Sequence, residues 1–338
     1  MITMKDIARE AGVSQPTVSL VLNGRASSIR IADKTRQKIL KTAERMGYRR
    51  NEIARAIKTG KTNVIGIIGG FSGSYSMDIL TGIANSCTRN GYFMKLLPVN
   101  KPEDLNEVVQ QCIGHRVAGV ICRSVKEYML NTLRDELEAA GIPIVLVDAR
   151  SHHDWCSRIS SDDFNGMKEA VSYLYRLGHR KITHIASSLD SEFSRIRAEG
   201  YLSAMRELGL DSENKICETE GELTLSDKER AIIIDFLNTR RPTAVVCGSD
   251  PVAMQLLMVC HEMGIKVPDD LSVIGFAGLD YTIFSSPPLT TISQPFIEMG
   301  EKAFDLLLHH IRGGSKVSDV ELATSLVVRN STCAIDKK

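Results

Sequence analysis

The chain has 338 residues, of which 43% are hydrophobic and 25% are charged, with a formal net charge of +1. This length is sufficient for two or three domains with buried cores. No apolar run of about 18 residues could span a bilayer, and the N-terminus lacks the apolar stretch of a secretory signal, so we expect a cytoplasmic protein. The eight cysteines form no C-x-x-C pair and have no histidine at zinc spacing, which predicts reduced, mostly buried thiols.

The small net charge conceals a strong asymmetry along the chain. Residues 1–60 contain 13 Lys and Arg against 5 Asp and Glu, a net charge of +8, whereas the remainder contains 29 against 36, a net charge of −7. A basic end on an acidic body is typical of nucleic-acid-binding proteins, because phosphate neutralisation supplies most of the sequence-independent affinity. A solvated basic face has the same signature, so charge alone leaves both interpretations open.

The first two predicted elements are short helices separated by a tight turn. An apolar stripe predicts a helix over residues 4–11, which Gly12 ends. Ser14 is a favourable N-cap and Pro16 is tolerated in a first turn, which predicts a second helix over residues 15–22. This is the helix-turn-helix arrangement, in which the second helix enters a major groove.

The pattern of the second helix indicates which side chains would face DNA. Its inward face carries Val18, Val21 and Leu22, and its outward side chains are Gln15, Pro16, Thr17, Ser19 and Leu20. An outward leucine can contact a thymine methyl group, and glutamine can pair bidentately with adenine; packing of Leu20 on the headpiece is the alternative. A third helix is predicted over residues 32–46, with its inward positions at Ile39, Leu40, Ala43 and Met46.

Six short motifs occur in a fixed order within the first 48 residues. They are Lys5-Asp6-Ile7-Ala8, Ala11-Gly12-Val13-Ser14, Thr17-Val18-Ser19, Val21-Leu22-Asn23-Gly24, Thr35-Arg36 and Gly47-Tyr48. Together they resemble the N-terminal signature of the LacI/GalR family of bacterial transcriptional repressors, and the resemblance continues through the chain. It implies an α/β protein with an all-α helix-turn-helix headpiece (1–48), a hinge (49–60) and a periplasmic-binding-protein-like core of two doubly wound parallel-sheet lobes (61–338).

The resemblance also assigns DNA contacts. Gln15, Pro16 and Leu20 fall where family members read bases, and the other predicted DNA-binding residues are Thr3, Ser14, Thr17, Ser19, Asn23, Arg55, Ile57 and Lys58. The stretch 25–31 is about two residues longer than usual, which leaves the phosphate contacts of that loop open.

Residues 51–58 resemble the family's hinge helix, which orders on DNA and wedges an apolar side chain into the minor groove. Ile57 stands at the wedge position, where the family usually has leucine. A helix this short is unstable alone, and a plain linker whose apolar residues pack on the core is the alternative.

From Asn63 onward, short β-branched runs alternate with amphipathic stretches. The predicted strands cover residues 64–68, 92–99, 117–122, 143–147, 181–186, 244–247 and 271–276. This alternation predicts two parallel sheets with helices on both faces. The resemblance divides them into lobe 1 (about 61–160 and 293–318) and lobe 2 (about 161–290 and 320–335), with the chain returning to lobe 1 through residues 289–295 and a ligand held between the lobes at the carboxyl ends of strands.

The sequence speaks against two other protein classes. The glycine-rich run 66–73 does not match G-x-G-x-x-G, no G-x-S-x-G elbow occurs, and the pairs His152-His153 and His309-His310 lack a third metal ligand, so we expect no enzyme activity, no cofactor and no metal. A secreted binding protein would share the core fold, since fold does not dictate function. The basic helix-turn-helix argues against it, and a failure to bind DNA would revive it.

The resemblance places an effector site between the lobes. Its predicted residues are Phe71, Tyr75, Ser76, Arg123, Phe193, Arg197, Leu223, Ser249 and Asp280. Arg197 is the strongest candidate, because an arginine in a cleft forms forked hydrogen bonds to vicinal hydroxyls or a carboxylate; a structural ion pair is the alternative. Asp250 is expected to cap the helix that begins at Pro251.

The expected effector is a sugar or a sugar derivative. Residues 191–193 do not match the base-binding pattern of the purine repressor, which argues against a purine. The family commonly has an acid where this chain has Ala277, and Asp280 is a possible substitute. Two arginines in the cleft without that acid suggest an acidic or phosphorylated sugar, unless Asp148 or Asp280 already pairs with one of them.

The resemblance implies a homodimer that binds a pseudo-palindromic operator with a kinkable central CG step. Residues 333–338 lack the heptad leucines that would form a tetramer. The expected partners are therefore double-stranded operator DNA, a small-molecule effector and a second copy of the chain, with no membrane.

Overall fold

The computed structural model describes residues 2–22, 31–48, 62–71, 73–99, 101–123, 127–150, 152–211, 215–220 and 224–335. The chain divides into two compact units, Met1–Thr62 and Asn63–Lys338. The predicted hinge lies outside the described residues, together with the predicted site residues Asn23, Arg55, Ile57, Lys58 and Leu223.

The described part of the first unit contains three helices, α1 (Met4–Ala11), α2 (Gln15–Leu22) and α3 (Asp33–Arg45). Thr3 and Asp6 form a capping box at the start of α1, and Gly12 ends that helix in the left-handed conformation with φ of 66°. The three helices bury a small core made of Ile7, Ala8, Ala11, Val18, Val21, Ile39 and Ala43. The helix-turn-helix arrangement therefore follows the predicted bounds, although Leu40, which was expected to face inward, is 43% exposed.

The second unit alternates strands and helices throughout. In chain order its elements are β1 (Val64–Gly69), α4 (Ser74–Asn90), β2 (Phe93–Pro98), α5 (Asp104–Gly114), β3 (Gly119–Arg123), α6 (Glu127–Ala139), β4 (Ile144–Val147), β5 (Ser157–Ser161), α7 (Asp163–Arg176), β6 (Ile182–Ala186), α8 (Glu192–Glu207), β7 (Ile216–Glu218), α9 (Asp227–Arg240), β8 (Ala244–Cys247), α10 (Asp250–Met263), β9 (Ser272–Ala277), a 3-10 helix (Asp280–Phe284), β10 (Thr290–Ser293), α11 (Phe296–Ile311), β11 (Asp319–Leu322) and β12 (Ser325–Val327).

The strands form two six-stranded sheets, one in each lobe. The first has the order β11-β5-β4-β3-β1-β2, and the second has the order β12-β10-β9-β8-β6-β7. All neighbours are parallel except β10 and β12. Helices cover both faces of the first sheet, since Ile65 and Ile67 of β1 pack in one hydrophobic cluster and Ile68 in another.

Three crossings connect the lobes, after β5, after β10 and after β11. The predicted return through residues 289–295 agrees with the second crossing. The predicted boundary at about residue 319 is wrong, because β11 pairs with β5 in the first sheet and the last crossing follows Leu322.

Helix α11, which follows the second crossing, packs against α4. The first turn of α4 contains the predicted effector residues Tyr75 and Ser76. Helices α4 and α11 pack closely: a Cβ atom at Gly82 would lie 2.0 Å from the carbonyl oxygen of Ile297. This approach brings Phe296 to the ring of Tyr75, with 5.5 Å between ring centroids.

Seven of the eight cysteines are buried and Cys333 is half-buried, as predicted. Burial raises the pKa of the Cys87 and Cys112 thiols to about 11, which keeps them protonated and unreactive. None of the helices within the described ranges is long and apolar enough to cross a membrane.

Candidate DNA-reading helix and effector site

Helix α2 presents the predicted base-reading residues. Val18 and Val21 are buried in the headpiece core, whereas Gln15 and Pro16 are exposed and Leu20 is half-buried. Leu20 is not among the side chains that pack on that core. Among the described residues, Leu20 therefore lies outside the core cluster of the headpiece, which agrees with a position on the outward side of α2.

The hydroxyls of Thr3 and Ser14, both predicted to contact DNA, lie at two helix N-termini. The Thr3 hydroxyl donates to Asp6 at 2.7 Å, and the Ser14 hydroxyl lies 2.8 Å from that of Thr17. Ser14 also accepts from the backbone N–H of Thr17 at 3.3 Å, which agrees with its predicted role as N-cap of α2. Helix N-termini favour anions, because their first N–H groups have no intrahelical partner.

Arg197, the leading effector candidate, lies in a dense polar network. Its Nε and Nη2 atoms are 2.8 and 2.7 Å from the same carboxylate oxygen of Asp163, which is the first residue of α7. Its Nη1 donates to the carbonyl of Gly248 at 2.8 Å, and Nη2 donates to the amide oxygen of Gln294 at 3.2 Å. The guanidinium also lies over the rings of Phe276 and Phe193, 4.1 and 5.0 Å from their centroids.

A second arginine shares that carboxylate. Nη2 of Arg150 lies 3.0 Å from Asp163 and 3.1 Å from the hydroxyl of Ser161, and its Nη1 donates to the Ser161 carbonyl. Asp148 is more distant, at 3.7 Å from Arg150. The Asp163 side chain is fully buried and both arginine side chains are about 6–7% exposed. One carboxylate is therefore shared by two buried cations, just after the first crossing between the lobes.

Arg123 differs from Arg197, because no carboxylate of the described residues pairs with it. It ends β3 opposite Gly69 of β1, and its Nη1 donates to the carbonyl of Gly70. A Cβ atom at Gly69 would lie 1.9 Å from the Arg123 carbonyl oxygen, so only glycine permits this approach of the two strand ends. The guanidinium lies 4.6 Å from the ring centroid of Tyr75.

The end of β9 faces the first lobe. Ala277 and Leu279 are buried in the hydrophobic cluster of that lobe, on which Phe71, Tyr75 and Tyr281 also pack. Ala277 has φ of 135°, a conformation that disfavours residues other than glycine and that is often found at functional sites. The loop after β9 therefore lies against the aromatic residues predicted for the effector.

Asp250 holds this loop and does not act as a cap. Helix α10 begins at Asp250, and its N-cap is Ser249, which accepts from Val252 at 3.4 Å. The buried Asp250 carboxylate instead accepts from the backbone N–H of Leu279 at 2.7 Å and from the hydroxyl of Thr291 at 2.6 Å. Burial raises its pKa, against the lowering effect of these hydrogen bonds. The cap prediction for Asp250 is wrong.

The remaining predicted effector residues occupy varied positions. Ser76 is buried, Phe193 is 40% exposed beside Arg197, and the Ser249 hydroxyl lies 3.4 Å from that of Ser187. Asp280 is exposed, and none of the ion pairs within the described ranges joins it to Arg123 or Arg197. Burial raises the pKa of Asp78, and the nearby Asp280 raises it further. Asp280 therefore neutralises neither arginine among the residues that the structure describes.

The fold and the two sites define a helix-turn-helix protein with a two-lobed ligand-binding core, and comparison with known proteins agrees. A family model for bacterial regulatory proteins, lacI family, matches residues 3–51, and a model for a periplasmic binding protein-like domain matches residues 171–332. The HTH-type transcriptional repressor PurR of Erwinia tasmaniensis is 32% identical over 337 residues, which cover 98% of this chain and 97% of that protein.

Two similar solved structures show the same fold. The Lac repressor dimer bound to operator and the anti-inducer ONPF has a TM-score of 0.76 and 24% identity, covering 98% of this chain and 99% of that one. A complex of the transcriptional regulator CelR with cellobiose has a TM-score of 0.69 and 24% identity, covering 98% and 100%. The chain belongs to the lacI family of bacterial regulatory proteins, which confirms the resemblance and the fold class predicted from the sequence.

Proposed function

We propose that this protein is a cytoplasmic transcriptional repressor that binds operator DNA as a homodimer, and that a small molecule held between its two lobes controls the operator affinity. The outward face of α2 carries this proposal. Gln15, Pro16 and Leu20 combine an adenine-pairing amide and an apolar group without core contacts, on a unit with an excess of basic residues. These groups match what the base edges of a major groove offer.

Dimerisation is supported by two groups of exposed apolar side chains. In the first lobe they are Met77, Phe93, Met94, Leu96 and Ile297, and in the second lobe they are Met258, Ile283 and Phe284. Phe284 is 86% exposed, the largest exposure among these side chains, and a partner that covered them would remove their apolar surface from water. The similar Lac repressor structure is a dimer. We therefore assign both groups to contacts with a second copy of the chain.

Effector control is supported by the position of the polar groups. Arg123 ends a first-lobe strand and Arg197 belongs to the second lobe. Ala277, Leu279 and Tyr281 pack with first-lobe aromatic side chains. Ligands of open parallel sheets bind beyond the carboxyl ends of strands. Since the similar regulator CelR is a complex with cellobiose, a sugar or a sugar derivative is the class of effector that we propose.

Replacing Leu20 by alanine is expected to change the base preference at one half-site position by about 1–3 kcal/mol, because the contact with a thymine methyl group is lost. The measurement is a comparison of binding to an array of all eight-base-pair sequences. Leu40→Ala is the matched control, since Leu40 is an exposed leucine of α3 outside the reading helix. If Leu20→Ala left the preference profile of the wild type unchanged, Leu20 would not read bases.

A further inference from the structure

The charge of Arg123 is unmatched within the effector site. Arg123 is 2% exposed, and its Nε and Nη2 atoms are buried without a hydrogen-bond partner. Among the described residues, its hydrogen bond runs from Nη1 to a neutral carbonyl, that of Gly70. No ion pair of Arg123 occurs among the residues that the structure describes, whereas Arg150 and Arg197 share the carboxylate of Asp163.

The unpaired edge of the Arg123 guanidinium, formed by Nε and Nη2, has a geometry that suits one kind of ligand group. Nε–H and Nη2–H lie side by side and point the same way, which fits two oxygens of one carboxylate or phosphate. A desolvated cation without a counter-charge is unfavourable, and a neutral hydroxyl group would supply a hydrogen bond but no charge. The tyrosine ring below the guanidinium, that of Tyr75, offsets only part of this cost.

A second unsatisfied donor lies near the same aromatic cluster. The Tyr281 hydroxyl is buried without a hydrogen-bond partner, and its ring packs on the hydrophobic cluster that also contacts Tyr75. Burial raises the pKa of Tyr281 to about 12, and the charge of Asp250 contributes, so the hydroxyl stays protonated and can donate to an anion.

We propose that the effector is an anion, whose carboxylate or phosphate group is bound by the unpaired Nε and Nη2 edge of Arg123. This rests on the proposed function, since it takes the cleft to be the effector site. It also differs from the expectation drawn from the sequence, because Arg197 already pairs with Asp163, whereas Arg123 has no ion pair among the described residues.

The test compares matched ligands by thermal unfolding of the full-length protein. Glucose, glucose 6-phosphate, glucuronate and inorganic phosphate are each added at millimolar concentration, with KCl at equal ionic strength as the reference. We expect at least one of the three anions to raise the Tm by about 3 °C or more, with no rise from glucose. A rise with inorganic phosphate alone would indicate that the acid group is recognised without the sugar. Equal stabilisation by glucose, or no stabilisation by any anion, would overturn the proposal.

Variants locate the binding group. Arg123→Gln should abolish the anion-induced rise with little loss of Tm for the free protein, because no ion pair is broken, and Arg123→Lys should weaken anion binding by about tenfold through loss of the fork. Arg240→Gln, at the exposed end of α9, is the control and should respond as the wild type does. An undiminished response in Arg123→Gln would overturn the proposal.

DNA retention, the amount of DNA that the same protein samples hold with and without each ligand, distinguishes effector control of DNA binding from the anionic class of the effector. If an anion binds through Arg123 but leaves DNA retention unchanged, the anion site stands and effector control fails. If glucose stabilises the protein and alters DNA retention, effector control stands and the anionic class fails.

Discussion

Replacing Asp163 by asparagine is expected to destabilise the ligand-binding core by about 3–5 kcal/mol, because the change leaves buried cations without their counter-charge. Asp163 is fully buried and contacts both Arg150 and Arg197 within 3.0 Å. Asparagine keeps the size of the side chain and an acceptor oxygen but loses the charge. The measurement is the free energy of unfolding in urea, from the midpoint and slope of the transition.

Asp162→Asn is the matched control for this prediction. Asp162 is the N-cap of α7 and accepts from Asn165 at 3.0 Å, a role that asparagine also performs, so its effect should stay below about 1 kcal/mol. The double variant Asp163→Asn/Arg197→Met should recover part of the loss, since it removes the cation whose carboxylate partner was replaced, whereas Arg150 keeps its ion pair with Asp148. An Asp163→Asn protein as stable as the control would show that the network does not hold the core.

The double variant Met258→Glu/Phe284→Glu is expected to dissociate the dimer and to lower operator affinity at least about 100-fold, because a single headpiece buries too little DNA surface for tight specific binding. Met258 is 52% exposed and Phe284 is 86% exposed. In a two-fold dimer each substitution occurs on both copies, so four buried charges would face the interface. Sedimentation velocity and fluorescence anisotropy with the preferred DNA site measure the two effects.

Val328→Glu is the control for the dimer prediction. Val328 is an apolar residue of the second lobe, 53% exposed, on neither of the elements that carry Met258 and Phe284. We expect this variant to remain dimeric and to bind DNA as the wild type does. A double variant that stayed dimeric at micromolar concentration would contradict the assignment of the second-lobe group to the interface.

The hydrophobic pattern of the sequence predicted those helices and strands whose apolar residues recur at a regular spacing or in short runs. Apolar periodicity gave α1 and α2 their bounds, and β-branched runs gave β1, β3 and β4. Among the strands that escaped prediction, β5 reads Ser-Arg-Ile-Ser-Ser, yet four of its five residues are buried because neighbouring strands and helices cover it. Patterning cannot identify such a strand, since its burial depends on tertiary contacts. Strand β11, Asp-Val-Glu-Leu, has only four residues and lies at the edge of its sheet, and missing it displaced the last lobe boundary.

The region of the effector site could be predicted from the sequence, but the ion pairs and hydrogen bonds within it could not. The resemblance placed Arg123 and Arg197 in the cleft, but nothing local indicated that Asp163 would neutralise one of them and not the other. That pairing depends on a crossing between lobes, which brings the start of α7 to the side of α8. Asp250 shows the same limit: its position before Pro251 suggests a cap, but Leu279 and Thr291 recruit its carboxylate across the lobe.

The central claim is that the headpiece reads a two-fold DNA site. The most direct measurement is selection from a random pool of double-stranded DNA by the full-length protein, in parallel with a chain lacking residues 1–62. We expect the full-length protein to enrich a pseudo-palindrome whose half-site centres lie about one helical turn apart, and we expect no enrichment by the shortened chain. Enrichment of the same sequences by both chains, or of no sequence by the full-length protein, would contradict this account.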